Sequence, residues 1–132
     1  MIETAFAQQF AAEWVAAWNA HDLARILSHY TEDFEMRSPL IVERTGVATD
    51  VLRGKEAIRT YWGNALAATP NLHFELHDVL VGVDTIVLYY RSVTRGQMVA
   101  ESLTFNARHE VIRAAAHYGG TVVSNLSPPA TD

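Results

Sequence analysis

The sequence predicts an α+β fold: a curved, mixed but mostly antiparallel sheet wrapped by three N-terminal helices around an apolar pocket. Three observations carry that prediction. Apolar residues recur at helical spacing near the N-terminus and again over residues 55–67. From Leu72 onward the period falls to two, in four runs separated by turn residues. Helices followed by consecutive hairpins place the helices on one face of the sheet.

Phe6, Phe10, Trp14 and Trp18 stand four apart, which sets four aromatic rings on one stripe of a helix from about Thr4 to Ala20. Such a stripe packs a core, and it equally suits the wall of a pocket. Asp22 can accept from the free amides of the next turn, as an N-cap does. Leu23, Ile26, Leu27 and Tyr30 then form a second, shorter helix, with His21 and His29 off its apolar face. Phe34, Met36 and Ser38 alternate with Glu35 and Arg37, a short strand ended by Pro39. Between Pro39 and Gly54, the pairs Ile41-Val42 and Val47-Val51 flank Thr45-Gly46, which suggests a small hairpin or flap. Residues 55–67 make the third helix, with Ile58, Tyr61 or Trp62, Ala65 and Leu66 on one face and Pro70-Asn71 closing it. Strands are predicted over 72–81, 85–94, 98–106 and 111–118, with turns at Gly82 to Asp84, Arg95-Gly96 and Asn106 to Glu110. One domain spans 1–120, and 121–132, with Pro128 and Pro129, is expected to be a loose C-terminal tail.

Composition narrows the function. A chain of 132 residues has room for one core, and 49% hydrophobic against 19% charged residues can fill it without staples. Cysteine is absent, which excludes disulfides, thiolate metal sites and cysteine nucleophiles. A net charge of -5 with no basic cluster excludes nucleic acid as a partner. No apolar run reaches the roughly 20 residues needed to span a bilayer, and Glu3 interrupts any signal-like start. No membrane contact and a cytoplasmic location are therefore expected.

Several local strings resemble a known family. Trp18-Asn19-Ala20-His21-Asp22-Leu23, Tyr30-Thr31-Glu32-Asp33 and Ser38-Pro39 resemble the opening of SnoaL-like proteins of the nuclear-transport-factor-2-like superfamily. Residues 52–58, Leu-Arg-Gly-Lys-Glu-Ala-Ile, resemble that family's Gly-Lys-Glu helix start. Phe105, Ile112 and the closing His117-Tyr118 resemble its last hairpin, so the likeness runs from about Phe6 to Tyr118. The resemblance implies the fold far more specifically than the function, because the scaffold hosts isomerases, cyclases, dehydratases, epoxide hydrolases and non-catalytic binders.

Strand parity bears on the site without the family. If Arg95-Gly96 is a two-residue turn, Thr94 faces Gln97, Tyr90 lies opposite Glu101 and Leu88 opposite Leu103. One face then carries Ile86, Leu88, Tyr90, Val99, Glu101, Leu103 and Phe105, and being the more apolar it should meet the helices. Glu101 becomes a carboxyl group in apolar surroundings, where lost hydration raises its pKa. The resemblance adds that Glu101 falls where ketosteroid isomerase carries a protonated aspartic acid. Ser38 stands where that enzyme has its general base and Trp14 where it has its tyrosine donor, so steroid isomerisation by that route is not expected. On the last strand, alternation allows either Arg113, Ala115 and His117 inward or Ala114, Ala116 and Tyr118. The family spacing, five residues after Ile112, implies His117 as an acid/base near neutral pH.

The expected site is thus Glu101 and His117 exchanging protons, with Tyr90 donating a hydrogen bond to a small apolar or carbonyl-bearing ligand. Trp14, Trp18, Phe34, Met36, Ser38, Trp62, Leu88, Leu103 and Phe105 would line it. Isomerisation, cyclisation and dehydration need only proton transfer and charge stabilisation, so no cofactor is implied. The alternative is a non-catalytic binding or dimerisation module. His73, Glu75 and His77 alternate as zinc ligands can, but Leu72, Phe74 and Leu76 opposite them make the trio an outward face, and no metal is expected. Glycine-rich, serine-nucleophile and dinucleotide motifs are absent, and an epoxide-hydrolase arrangement lacks a second inward carboxylate, with Arg91 on the wrong parity. Val87, Tyr89, Val93, Ala100 and Ser102 leave the outer sheet face too dry for solvent, and the resemblance implies a homodimer through it.

Overall fold

A computed structural model of the chain describes residues 1–46 and 48–120; the expected tail over 121–132, like Val47, lies outside the described residues. The aromatic stripe forms α1 (Thr4–Asn19), which buries Phe10, Trp14 and Trp18 together with Ala7, Ala11 and Ala17. Asp22 caps α2 (Leu23–Leu27) by accepting from the Arg25 amide at 3.1 Å. Strand β1 (Tyr30–Arg37) follows, then α3 (Leu40–Thr45), β2 (Val51–Arg53), α4 (Lys55–Ala68), β3 (Phe74–Val81), β4 (Thr85–Ser92), β5 (Gln97–Phe105) and β6 (Val111–Tyr118). The six strands form one sheet in the order β2-β1-β6-β5-β4-β3. Only the β1–β6 pairing is parallel, which makes the sheet mixed and mostly antiparallel, as expected. The buried faces of α1, α2 and α4 meet one face of that sheet in a continuous core. Among the described residues no helix is long and apolar enough to cross a membrane.

Three local readings of the sequence are corrected. The segment after Pro39 is a short helix and an edge strand, not a hairpin. Pro39 opens α3, and Gly46, at φ 72°, closes it in the left-handed conformation that glycine adopts without steric cost, its amide donating to Val42 O at 2.9 Å. The β4–β5 turn holds four residues, Val93 to Gly96, so Ser92 pairs with Gln97, Tyr90 with Val99 and Leu88 with Glu101. A two-residue turn needs positive φ at its first central position or at both, and in this turn only Gly96 has it, at 68°. The resulting shift is by two residues, so each side chain keeps its face.

The third correction reverses a face. Phe105 pairs with Val111 but Thr104 pairs with Arg113, so Ile112 is an extra residue in a β-bulge. Val111 points inward, and beyond the bulge Ala114 and Ala116 do so, while Arg113 and His117 turn to solvent. Without the bulge, Val111, Arg113, Ala115 and His117 would share one face.

Asn19 fastens the end of α1 to the start of β3. Its side-chain amide donates to Phe74 O at 2.9 Å and its carbonyl accepts from the Phe74 amide at 2.8 Å, as a neighbouring strand would. The His21 ring, next along, meets Leu72 O at 2.9 Å. These bonds fix Phe74, the first residue of β3, against the tryptophans of α1, its ring centroid 5.8 Å from those of Trp14 and Trp18.

Candidate functional site

The core is filled at one end of the sheet and open at the other. At the filled end Phe105 meets Phe6 and Phe10 edge to face, at centroid distances of 5.7 and 5.0 Å, and the last two rings are tilted against each other at 6.0 Å. At the other end a cavity of about 80 Å³ remains, several times the roughly 10–15 Å³ that one water requires. Trp14 and Trp18 wall it from α1, and Tyr61, Trp62 and Ala65 from α4. Met36 and Ser38 lie at the end of β1, and Leu40 and Arg44 project from α3. Leu72 and Phe74 come from the β3 end, and the sheet floor supplies Tyr90, Glu101 and Tyr118.

Among the described residues Glu101 is the one acidic side chain on that wall, 4% exposed among aromatic rings. Burial strips water from its carboxylate and raises its pKa to about 7, a change the Tyr90 hydroxyl only partly opposes. Tyr90 donates to Glu101 Oε1 at 3.4 Å, long for such a bond. Tyr90 therefore lines the cavity with its hydroxyl turned toward the carboxyl group. Burial also pushes the Tyr118 hydroxyl up to about 12, with the Glu101 charge adding to the shift and Ser38 opposing it. Both tyrosines stay neutral.

Ser38 works on the backbone. Its hydroxyl accepts from the Leu40 amide at 3.2 Å and its carbonyl from the Ile41 amide at 3.1 Å, starting α3 so that Leu40 and Arg44 reach the cavity. Trp18 brings a further polar atom: its indole N–H is buried and has no acceptor among the described residues. The Trp14 N–H, by contrast, donates to the Tyr30 hydroxyl at 2.9 Å.

Of the expected site residues, Trp14, Trp18, Met36, Ser38, Trp62, Tyr90 and Glu101 meet at the cavity. His117 does not. It is exposed on the opposite sheet face, its Nδ1 3.1 Å from Ala100 O, because of the bulge at Ile112. Phe34, Leu88, Leu103 and Phe105 face inward but are core, 0–4% exposed and off the cavity wall. Phe34 is covered by Tyr30 and Trp62, and Phe105 by the aromatic plug. Sequence reasoning missed Arg44 and Tyr118 as wall residues, together with Leu40, Tyr61, Ala65, Leu72 and Phe74. The signal for Arg44 was Pro39 before and Gly46 after a six-residue stretch, the punctuation of a short helix. Among the described residues no three side chains of metal-ligating type converge, and Glu75 and His77 are exposed on β3.

An open six-stranded sheet with helices on one face and a cavity at one end of the core defines a cystatin-like scaffold. The SnoaL-like domain family matches residues 11–120, and the chain belongs to that family. It is similar to a SnoaL-like protein of unknown function from Burkholderia thailandensis, at 49% identity and a TM-score of 0.86, over 90% of this chain and 98% of that one. A protein of unknown function with a cystatin-like fold from Methylobium petroleophilum aligns at a TM-score of 0.71 and 13% identity, over 90% of this chain and 79% of that one. An epoxide hydrolase/cyclase-like enzyme of pyran ring formation in the polyether salinomycin aligns at 0.64 and 18%, over 92% and 96%. The last two similarities are of fold alone. No curated protein matched the sequence.

Proposed function

We propose that the cavity binds a small, mainly apolar molecule bearing a carbonyl group, and that Glu101 exchanges a proton with it. The observation that carries this reading is a buried carboxyl group on an aromatic cavity wall with a pKa of about 7. Near neutral pH such a group is present as both acid and base, which is what general acid–base catalysis requires. One carboxyl group suffices for an isomerisation. As carboxylate it takes a proton from the carbon beside the carbonyl; the electron pair of that C–H bond becomes the carbon–carbon double bond of an enolate, and the carbonyl π pair moves to the oxygen. As carboxylic acid it returns the proton to a second carbon and the charge on oxygen is released. The Trp18 indole N–H and the Tyr61 or Tyr118 hydroxyl are the donors available to that oxygen. Cyclisation or dehydration would draw on a second proton-transfer group, and His117 is on the wrong face for it.

The same exposure of His117 favours a second reading, a non-catalytic binder with the cavity as its ligand site. One experiment separates the two: a small β,γ-unsaturated ketone is incubated with the protein in D2O and followed by proton NMR. Proton transfer predicts deuterium at the carbon next to the carbonyl, a rate that rises with pH through about 7 as the base form appears, and loss of exchange in Glu101→Gln. A ketone that raises Tm without exchange makes the protein a binder.

We also propose a homodimer through the outer sheet face. Tyr89 and Val93 are each 41% exposed there, beside the half-buried Val87, Ala100 and Ser102. Sedimentation equilibrium is expected to give twice the chain mass, and Tyr89→Glu to give the monomer; a monomeric wild-type protein contradicts the proposal.

A further inference from the structure

The rim of the cavity carries charge of the opposite sign to the chain as a whole. Arg44 lines it from the last turn of α3. Arg95, in the β4–β5 turn, holds its guanidinium 5.6 Å from the ring centroid of Tyr118, itself a wall residue. Its Nε donates to Gln97 Oε1 at 3.0 Å, which fixes its direction. Five other arginines, Arg25, Arg37, Arg53, Arg59 and Arg108, sit within 4.0 Å of a carboxylate. Arg44, Arg91, Arg95 and Arg113 have no such partner among the described residues, and of these four Arg44 lines the cavity and Arg95 lies against its wall residue Tyr118. Both also act on one wall hydroxyl: burial raises the Tyr61 pKa, and Arg44 and Arg95 each oppose that rise, while Glu43 and Glu101 add to it. In a chain of net charge -5, two cations without carboxylate partners beside one aromatic cavity are an arrangement for a ligand's charge.

We propose that the ligand is a compact apolar acid, its carboxylate at the rim between Arg44 and Arg95 and its uncharged end inside against Trp14, Trp18 and Glu101. A guanidinium fork matches a planar carboxylate in two parallel hydrogen bonds, which a neutral amide of the same shape cannot replace. A dianion is disfavoured, because Glu101 occupies the same cavity. The assignment rests on the cavity being the ligand site, and the test keeps the two claims apart.

Phenylacetate and phenylacetamide are titrated into the protein at about pH 6, where Glu101 is largely protonated. Two readouts are recorded: affinity, and the NMR resonance of the Trp18 indole N–H, which reports occupation of the cavity whatever the probe's charge. The acid is expected to bind more tightly than the amide. Each of Arg44→Gln and Arg95→Gln is expected to reduce that preference by about two- to fivefold, the range for exposed charge pairs, and added salt to weaken it. Acid binding is expected to fall more than amide binding in each variant, and a cooperative thermal unfolding transition shows that the variants are folded. Equal binding of acid and amide with the Trp18 signal shifted, or an acid preference that survives both substitutions, overturns the charge assignment and leaves the cavity site standing. No shift of the Trp18 signal with either probe overturns the cavity site and this assignment with it.

Discussion

Glu101→Gln is expected to stabilise the folded protein at pH 8 by up to about 3 kcal/mol and to leave its stability near the wild-type value at pH 4. The sign follows from proton binding. The folded state holds the Glu101 proton up to about pH 7, the unfolded state only to its ordinary value of 4.5. Between those values the folded form binds more protons, so wild-type stability falls as pH rises through the window and levels off above it. Glutamine has the shape of the protonated carboxyl group and no charge to desolvate, so it removes the slope. Urea denaturation of both proteins at the two pH values measures the difference. A wild-type protein equally stable at pH 5 and pH 8, with Glu101→Gln neutral at both, contradicts the buried-carboxyl account. The expected gain is large for a surface substitution and ordinary for a buried ionisable group kept for function rather than stability.

Phe34→Ala is expected to cost about 3–5 kcal/mol, the range for emptying a core aromatic site. Phe34 is fully buried on β1, its ring centroid 4.4 Å from that of Tyr30 and 5.8 Å from that of Trp62. Trp62 lines the cavity from behind those rings, so the void left by Phe34 would also loosen one cavity wall. Denaturant midpoints at pH 5, where Glu101 is protonated in the folded state, read the packing loss without the titration. A cost below about 1 kcal/mol would mean that the space at Phe34 is already open, as at a pocket wall, and the division between plug and cavity would be wrong.

That division is where the sequence was least informative. Phe34 and Met36 lie two apart on one strand face, and so do Glu101 and Leu103, yet in each pair only one touches the cavity. Alternation reports the side of a sheet, not the distance along it. The inward set of β4 and β5 was legible because the turn error was a shift by two, which leaves parity intact. The inward set of β6 was not, because a single extra residue at Ile112 reverses every side chain after it, and no glycine or proline marks the bulge. The aromatic stripe of α1 was legible through three successive four-residue intervals, Phe6 to Trp18. Helix α3 is too short for any period to emerge, and only its terminal Pro39 and Gly46 announce it. Arg44 and Tyr118 were missed because they lie on these two elements, whereas Tyr61, Ala65, Leu72 and Phe74 lie on or beside elements whose inward faces were legible but whose place along the cavity was not.

The protonation of Glu101 itself is the shortest route to a decision. Proteins labelled with 13C at glutamate carboxyl carbons, wild type and Glu101→Gln, would be titrated by NMR between pH 3 and 9, the variant assigning the resonance. A carboxyl carbon that titrates with a midpoint near 7 is the expected result. A midpoint near 4.5 would mean that water reaches the group freely, and the proton-transfer reading would have nothing left to stand on.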